Sequence, residues 1–401
     1  MKRREFLRGA AAGVMGGFGM TLAACSSTPS AAPTASNAAP GEAGSASGSA
    51  AQAAPTEVQA QAPAQSSSLP AVEWRMGTSW PISLDTIYGG ASLLAERIAE
   101  LTNGMFRITT FPAGELFPAT EVVQNVSQGT VESGHTALYY SVGLNPAFGI
   151  ATSLPFGLTA QQQNSWLYYG GGNDALAKLG DEFNSQLFPA GNTGAQMGGW
   201  FRKEINGVAD LNGLKMRIPG LGGKVMEKLG VVTQTIPAGE IFQSLSTGAV
   251  DAAEFVGPYD DEKLGLPDAA KYYYSPGWWE PGPSLHAVIN KDAFNALPKE
   301  YQTVFNVASW EANLNMLSKY DALNNDALER IIAKGIELKV YSDEIMIAAQ
   351  KAAFDIYAEF SAATPLFKEI FEQWNAFRKK VQKWTQVNEV PFHDFVKANP
   401  V

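Results

Sequence analysis

Three side chains with complementary chemistry close three short stretches of strand-like sequence. Arg217 ends the run Leu214 to Ile218, whose alternation suits a strand, and Pro219 with Gly220 breaks pairing just beyond it. Glu254 ends Ala249 to Ala253, just before a Gly257-Pro258 turn, and Gln196 ends a third stretch. Strand ends are where an α/β protein presents charge to a ligand held between its layers. One fixed guanidinium and one fixed carboxylate on neighbouring strand ends suit a small carboxylate ligand held by Arg217 together with a hard cation. An arginine at a strand end also suits pairing with a surface carboxylate. Glu254 is harder to place passively. Inside the apolar run Ala252 to Val256 its carboxyl would shift upward and neutralise unless a cation or a donor held it.

The elements that must position these groups alternate strand and helix. Val72 to Gly77 reads as a strand, Leu84 to Leu101 as a helix stopped by Asn103-Gly104, and Met105 to Phe111 as a strand. The rhythm continues with a helix at Ala119 to Ser127 and a strand near Glu132 to Tyr140, so the class is α/β. A helical pattern covers Gln161 to Phe188. Further helices are expected at Gly222 to Leu229 and Pro237 to Thr247, then an aromatic loop at Lys271 to Glu280 and a strand at Ser284 to Asn290. From Asp292 onward the sequence is mostly helical, with long runs at Lys299 to Lys334, Ser342 to Ser361 and Pro365 to Val387.

The chain of 401 residues, 45% hydrophobic, is long enough for two lobes with separate cores. Residues 1–25 read as a signal peptide: a basic start with paired arginines before Phe6-Leu7, similar to a twin-arginine signal, then a short apolar stretch. It closes on Leu22-Ala23-Ala24-Cys25, which resembles a lipobox. Cys25 is the only cysteine, so no intramolecular disulfide or thiolate cluster can form, and its expected use is as the lipidated first residue of an anchored protein. Residues 26–70, almost all Ala, Ser, Pro, Gly and Gln, read as a disordered tether with a span of roughly 35 to 40 Å. Lys2, Arg3, Arg4 and Arg8 against Glu5 give the leader +3, so the formal charge of −10 becomes −13 without it. So acidic a body, with no basic stripe, is a poor partner for nucleic acid.

Enzyme motifs are weak. His135, His286 and His393 are far apart without metal-ligand spacing, and no Gly-x-Ser-x-Gly elbow occurs. His135 reads as a structural histidine. Gly220-Leu-Gly222-Gly-Lys-Val225 begins like a dinucleotide fingerprint, but Val225 stands where the third glycine belongs, which leaves an ordinary strand-to-helix turn.

Gly213 to Arg217, Asp251 to Glu254, the leader and the helical C-terminus together resemble the solute-binding proteins of tripartite ATP-independent periplasmic (TRAP) transporters. Gln196 to Arg202, Glu254 to Asp261 and Tyr272 to Glu280 are similar to the branch that binds 2-oxo acids such as pyruvate. The resemblance implies a two-lobe periplasmic-binding-protein-like α/β fold with a hinge and long C-terminal helices. Lobe 1 is expected over 71–195 plus about 285–315, and lobe 2 over 196–284 plus about 316–401 with the helical extension. It implies a non-enzymatic receptor that hands a small carboxylate to membrane permease subunits. Arg217 matches the arginine that binds the substrate carboxylate, a task suited to its planar fork. Gln196, Glu254 and the main-chain carbonyl of Phe255 match ligands of a metal ion bridging to substrate. Tyr140 falls where a hydroxyl meets substrate, and Glu280 where the aromatic loop approaches the metal.

A 2-oxo acid offers a carboxylate oxygen and its keto oxygen to a hard cation. Counting substrate and Glu254 against Arg217, Na⁺ closes the charge balance while Ca²⁺ leaves +1, so sodium is favoured with calcium the alternative. Two other readings are a lactate-type 2-hydroxy acid receptor using calcium and a metal-dependent enzyme acting on an oxo acid. The resemblance also implies a homodimer through the last helix. Phe367, Ile370, Phe371, Trp374 and Phe377 recur there at helical spacing and must bury, against a second copy or their own lobe.

Overall fold

The computed structural model describes residues 69–400; the leader, Cys25 and nearly all of the expected tether lie outside them. The helix–strand alternation read from the sequence gives two sheets. The first is built from β1 (Val72–Thr78), β2 (Phe106–Phe111), β3 (Ser133–Thr136), β4 (Ser185–Asn192) and β10 (Ser284–Asn290), in the order β2-β1-β3-β10-β4. β1 runs parallel to β2 and β3, whereas β10 is antiparallel to β3 and β4. The second holds β5 (Trp200–Phe201), β6 (Lys215–Arg217), β7 (Val232–Gln234), β8 (Ala252–Ala253), β9 (Tyr272–Ser275) and β11 (Glu337–Val340), in the order β11-β9-β5-β8-β6-β7. The chain passes from one sheet to the other at β4→β5, at β9→β10, and between β10 and β11.

Helices cover the sheets in the manner a mostly parallel arrangement requires. On the first are α1 (Ile87–Leu101), α2 (Val122–Ser127), α3 (Ala147–Thr152), α4 (Ala160–Tyr169) and α5 (Gly172–Glu182). α6 (Gly220–Lys228), α7 (Ile241–Thr247) and α8 (Pro258–Lys263) follow strands of the second. After α9 (Lys291–Ala296), the long α10 (Lys299–Ala333) packs on α1 and β4 and also on α8, so it touches elements of both sheets. α11 (Asp343–Ala363) and α12 (Pro365–Ala398) complete the chain. None of the helices among the described residues is long and apolar enough to cross a membrane.

Three expectations need correction. The helical pattern over Gln161 to Phe188 is two helices and a strand: Gly170-Gly171-Gly172 interrupts it, with Gly171 at φ +81°, and β4 begins at Ser185. The expected aromatic loop contributes a strand, because Tyr272 to Ser275 finds partners in β5 and β11. The expected strand to Tyr140 stops at Thr136, and a single 3-10 turn, Leu138–Ser141, presents Tyr139 and Tyr140. Along α12 the side chains of Phe367, Ile370 and Trp374 are buried on this chain's own α11 and on α3 to α5, so that stripe is covered without a second copy.

Candidate functional site

Arg217 is the last residue of β6, and Glu254 follows β8 directly. These strands are parallel neighbours with Arg217 opposite Ala253, so the two side chains leave the same sheet edge. Both are buried, at 1% and 0% exposure. Arg217 donates through Nε to the Ile236 carbonyl at 3.0 Å and through Nη1 to the Glu254 carbonyl at 2.7 Å, and Nη1 also contacts Glu254 Oε1. That leaves Arg217 Nη2 and Glu254 Oε2 buried without a partner. The Phe255 ring lies 5.8 Å from the guanidinium carbon, and none of the hydrogen bonds among the described residues ends on the Phe255 carbonyl.

Gln196 and Glu280 come from the two crossings β4→β5 and β9→β10. The Gln196 amide donates to the Glu280 carbonyl at 3.2 Å, and the Gly277 amide donates to the Gln196 carbonyl at 3.0 Å, so these segments are tied to one another. The Gln196 side chain is oriented by Thr193. The Thr193 hydroxyl donates to the Gly194 carbonyl at 3.3 Å and accepts from Gln196 Nε2 at 3.0 Å, which turns Gln196 Oε1 away as a free acceptor. Gln196 Oε1 and Glu280 Oε2 are both buried and unpartnered.

Electrostatics ties these residues into one cluster. Burial pushes the Glu254 carboxyl up to about 7, against the opposing pull of Arg217. Burial and the charge of Glu254 push Glu280 well above the usual carboxylate range, against the opposing pull of Arg217. Burial raises Tyr139 and Tyr140, and both feel the charges of Arg217, Glu254 and Glu280. Tyr139, missed in the sequence reading, is thus as close to the cluster as Tyr140. The glycines of the false dinucleotide motif serve this packing. A Cβ on Gly220, at φ +62°, would stand 3.0 Å from the Tyr139 ring, and one on Gly222 would stand 2.9 Å from Trp279 Cβ.

Two other buried ionisable groups have structural settings. His135 Nδ1 accepts from Trp80 Nε1 at 2.8 Å and its Nε2 donates to the Ala190 carbonyl at 3.2 Å; burial lowers it to about 4, so it is neutral and fully engaged. Asp261 accepts from Trp200 Nε1 at 2.9 Å, Tyr273 Oη at 2.7 Å and the Val256 amide at 3.3 Å. Among the described residues no three His, Cys, Asp or Glu side chains gather as a metal cluster.

The family model of DctP, bacterial extracellular solute-binding protein, family 7, matches residues 76–363. The chain belongs to this family. This family 7 protein is 58% identical over 333 residues to the monocarboxylate 2-oxoacid-binding periplasmic protein of Nostoc sp., covering 83% of this chain and 91% of the relative. Among solved structures it is similar to a TRAP transporter solute-binding protein from Bordetella bronchiseptica, a dimer with calcium and picolinate in one site. The TM-score is 0.81 at 47% identity, over 82% of this chain and 98% of that one. A TRAP solute-binding protein from Colwellia psychrerythraea with calcium and pyruvate gives a TM-score of 0.78 at 34% identity, over 80% and 99%. One from Pseudoalteromonas atlantica with sodium and pyruvate gives 0.78 at 33%, over 80% and 98%. The two-lobe binding-protein fold expected of the family 7 chain is the fold of these neighbours.

Proposed function

We propose that this protein captures a small 2-oxo monocarboxylate such as pyruvate outside the cytoplasm and delivers it to the permease subunits of a TRAP transporter, without catalysis. The observation that carries the reading is the set of orphaned polar atoms. One guanidinium donor, Arg217 Nη2, and three acceptor oxygens, Gln196 Oε1, Glu254 Oε2 and Glu280 Oε2, are buried without partners on residues that interact with one another electrostatically. Buried polar atoms are rarely left without partners. A donor and a group of acceptors fit two different guests: an anion for the first and a cation for the second.

The donor set is all oxygen, which suits a hard cation, and Gln196, Glu254, Glu280 and the Phe255 carbonyl would hold it. When bound, the ion supplies positive charge to the ligand's carboxylate and keto oxygens. Arg217 fixes the carboxylate, the Tyr140 hydroxyl closes on it from the 3-10 turn, and the Phe255 ring walls the site. The charge balance turns on Glu280: neutral, as burial beside Glu254 favours, it leaves −1 for sodium to neutralise, and ionised by a bound metal it leaves −2, which calcium neutralises.

The Colwellia and Pseudoalteromonas proteins, with bound pyruvate and calcium or sodium, support the ligand class. We further propose residues 71–195 with about 285–315 as one lobe and 196–284 with about 316–401 as the other, export through the leader, lipidation at Cys25, and a homodimer. The dimer reading is moved along α12. Trp384, Val387, Phe392 and Phe395 are exposed, and the last three lie beyond Thr385, which accepts from Gln162 of its own chain.

Titration calorimetry of pyruvate into chelator-treated protein, with and without calcium or sodium, tests the site. Each guest should raise the other's affinity by the same factor, since linkage is reciprocal. Equal pyruvate affinity with and without metal would refute the bridging arrangement, and preference for lactate over pyruvate would shift the ligand to a 2-hydroxy acid.

A further inference from the structure

We infer that Asp261 is a positioning residue for the cation: it holds and polarises the peptide unit between Phe255 and Val256, so that the Phe255 carbonyl becomes a stronger and better-aimed oxygen ligand. The inference rests on the metal-bridged reading of the site.

The segment Glu254 to Val256 is fixed at four of its six main-chain polar groups, those of Glu254 and Val256. Its first amide donates to the Arg217 carbonyl at 3.2 Å, and its first carbonyl accepts from Arg217 Nη1 at 2.7 Å. The Val256 carbonyl accepts from the Met197 amide at 3.0 Å. The Val256 amide donates to Asp261 Oδ1 at 3.3 Å. Within this framework the Phe255 carbonyl has no partner among the described residues, and it belongs to the same peptide unit as the amide that Asp261 accepts.

A peptide unit conducts polarisation through its partial double bond. An anion at the N–H end stabilises the form with negative charge on the oxygen, and hydrogen-bonded chains strengthen one another in this way. Asp261 is suited to act as that anion. Its other oxygen accepts from Trp200 Nε1 and Tyr273 Oη, so three donors aim at a fully buried carboxylate without a basic side chain among them. Its two oxygens also divide the work: Oδ2 is anchored by β5 and β9, and Oδ1 is left for the backbone of the site.

The test compares Asp261→Asn with Tyr273→Phe in the full-length protein, reading calcium affinity by calorimetry and folding by Tm. Asp261→Asn removes the charge behind the peptide, whereas Tyr273→Phe removes an anchor of the same carboxylate on its far side. Calcium affinity is expected to fall at least tenfold in Asp261→Asn and to stay within twofold in Tyr273→Phe, even where both lower Tm. A second measurement needs no unstable variant. In wild-type protein labelled with ¹⁵N-valine, the Val256 amide proton, assigned by its loss in Val256→Ile, should move downfield when calcium binds, as the ion draws density through the shared peptide unit. Calcium affinity in folded Asp261→Asn within threefold of wild type, equal losses in the two variants, or a Val256 resonance unmoved by bound calcium would overturn the inference. Wild-type protein that binds pyruvate but no calcium or sodium would overturn the metal-bridged reading itself, and this inference with it.

Discussion

Arg217 grips Glu254 twice, once at the main-chain carbonyl and once at the carboxylate, and still leaves one terminal nitrogen free. The arginine therefore serves the fold and the ligand through different atoms. Arg217→Ala removes both, and a ligand carboxylate left desolvated without its partner costs about 3–5 kcal/mol. Pyruvate affinity should fall more than a hundredfold, and Tm should fall as well because Glu254 is left buried without its partner. Calorimetry giving an affinity within threefold of wild type would count against the role.

In the proposed site Thr193 acts on the ligand only through Gln196, whose amide nitrogen it accepts from. Thr193→Val keeps the shape and removes the acceptor that orients the amide, so Gln196 Oε1 is no longer held toward the cluster. Calcium affinity should weaken by about tenfold, on the order of 1.4 kcal/mol, while Tm changes little. Thr193→Ser, which retains the hydroxyl, should restore it.

The stabilising effect of calcium should depend on pH with a defined sign. Glu254 has a folded-state value near 7, above its ordinary one, so without metal the folded state holds a proton that the unfolded chain has released. That contribution is present at low pH and lost as pH rises through about 7. Metal ligation needs the carboxylate form. The difference in Tm between calcium-loaded and chelator-treated protein should therefore grow from pH 5 to pH 8. The buried histidines, neutral in both states of the site, cancel in this difference.

Ending the chain at Gln386 removes Val387, Phe392 and Phe395 and keeps Phe367, Ile370, Trp374 and Thr385, which pack or bond within the protomer. Light scattering should show the shortened protein as a monomer with pyruvate affinity unchanged. A dimer that survives the truncation would place the interface elsewhere.

Cys25→Ser should release the protein from membrane fractions without altering ligand affinity, because a long polar tether separates the two functions. Persistence of the variant on membranes would refute lipid anchoring.

Arg217 and Glu254 were legible in the sequence because local signals carry them: short alternating runs, each stopped by Pro or Gly, and charge at the stop. The long helices were legible from periodicity, and α12 exceeded its expected end by continuing through Pro391. Thr193 and Asp261 were not, since their meaning comes from partners that only the folded chain supplies. Asp261 meets Trp200 across most of the second sheet's sequence. Tyr272 to Ser275 read as a loop because Pro276 and Gly277 dominate locally, while the strand exists through pairing with β5 and β11. Charge counting from Glu254 alone left out Glu280, a second buried carboxylate whose approach depends on a crossing between sheets.

Gln196 and Glu280 sit on two of the three passages between the sheets, and these passages are laced together by their own backbone bonds. In the proposed two-lobe reading, the joint of the molecule and the wall of the site are the same few residues. Prising the sheets apart bends the segments that aim these oxygens, so opening and loss of grip are a single mechanical event. A partner that pulls on the outer face of either sheet, far from the cargo, has a lever on it.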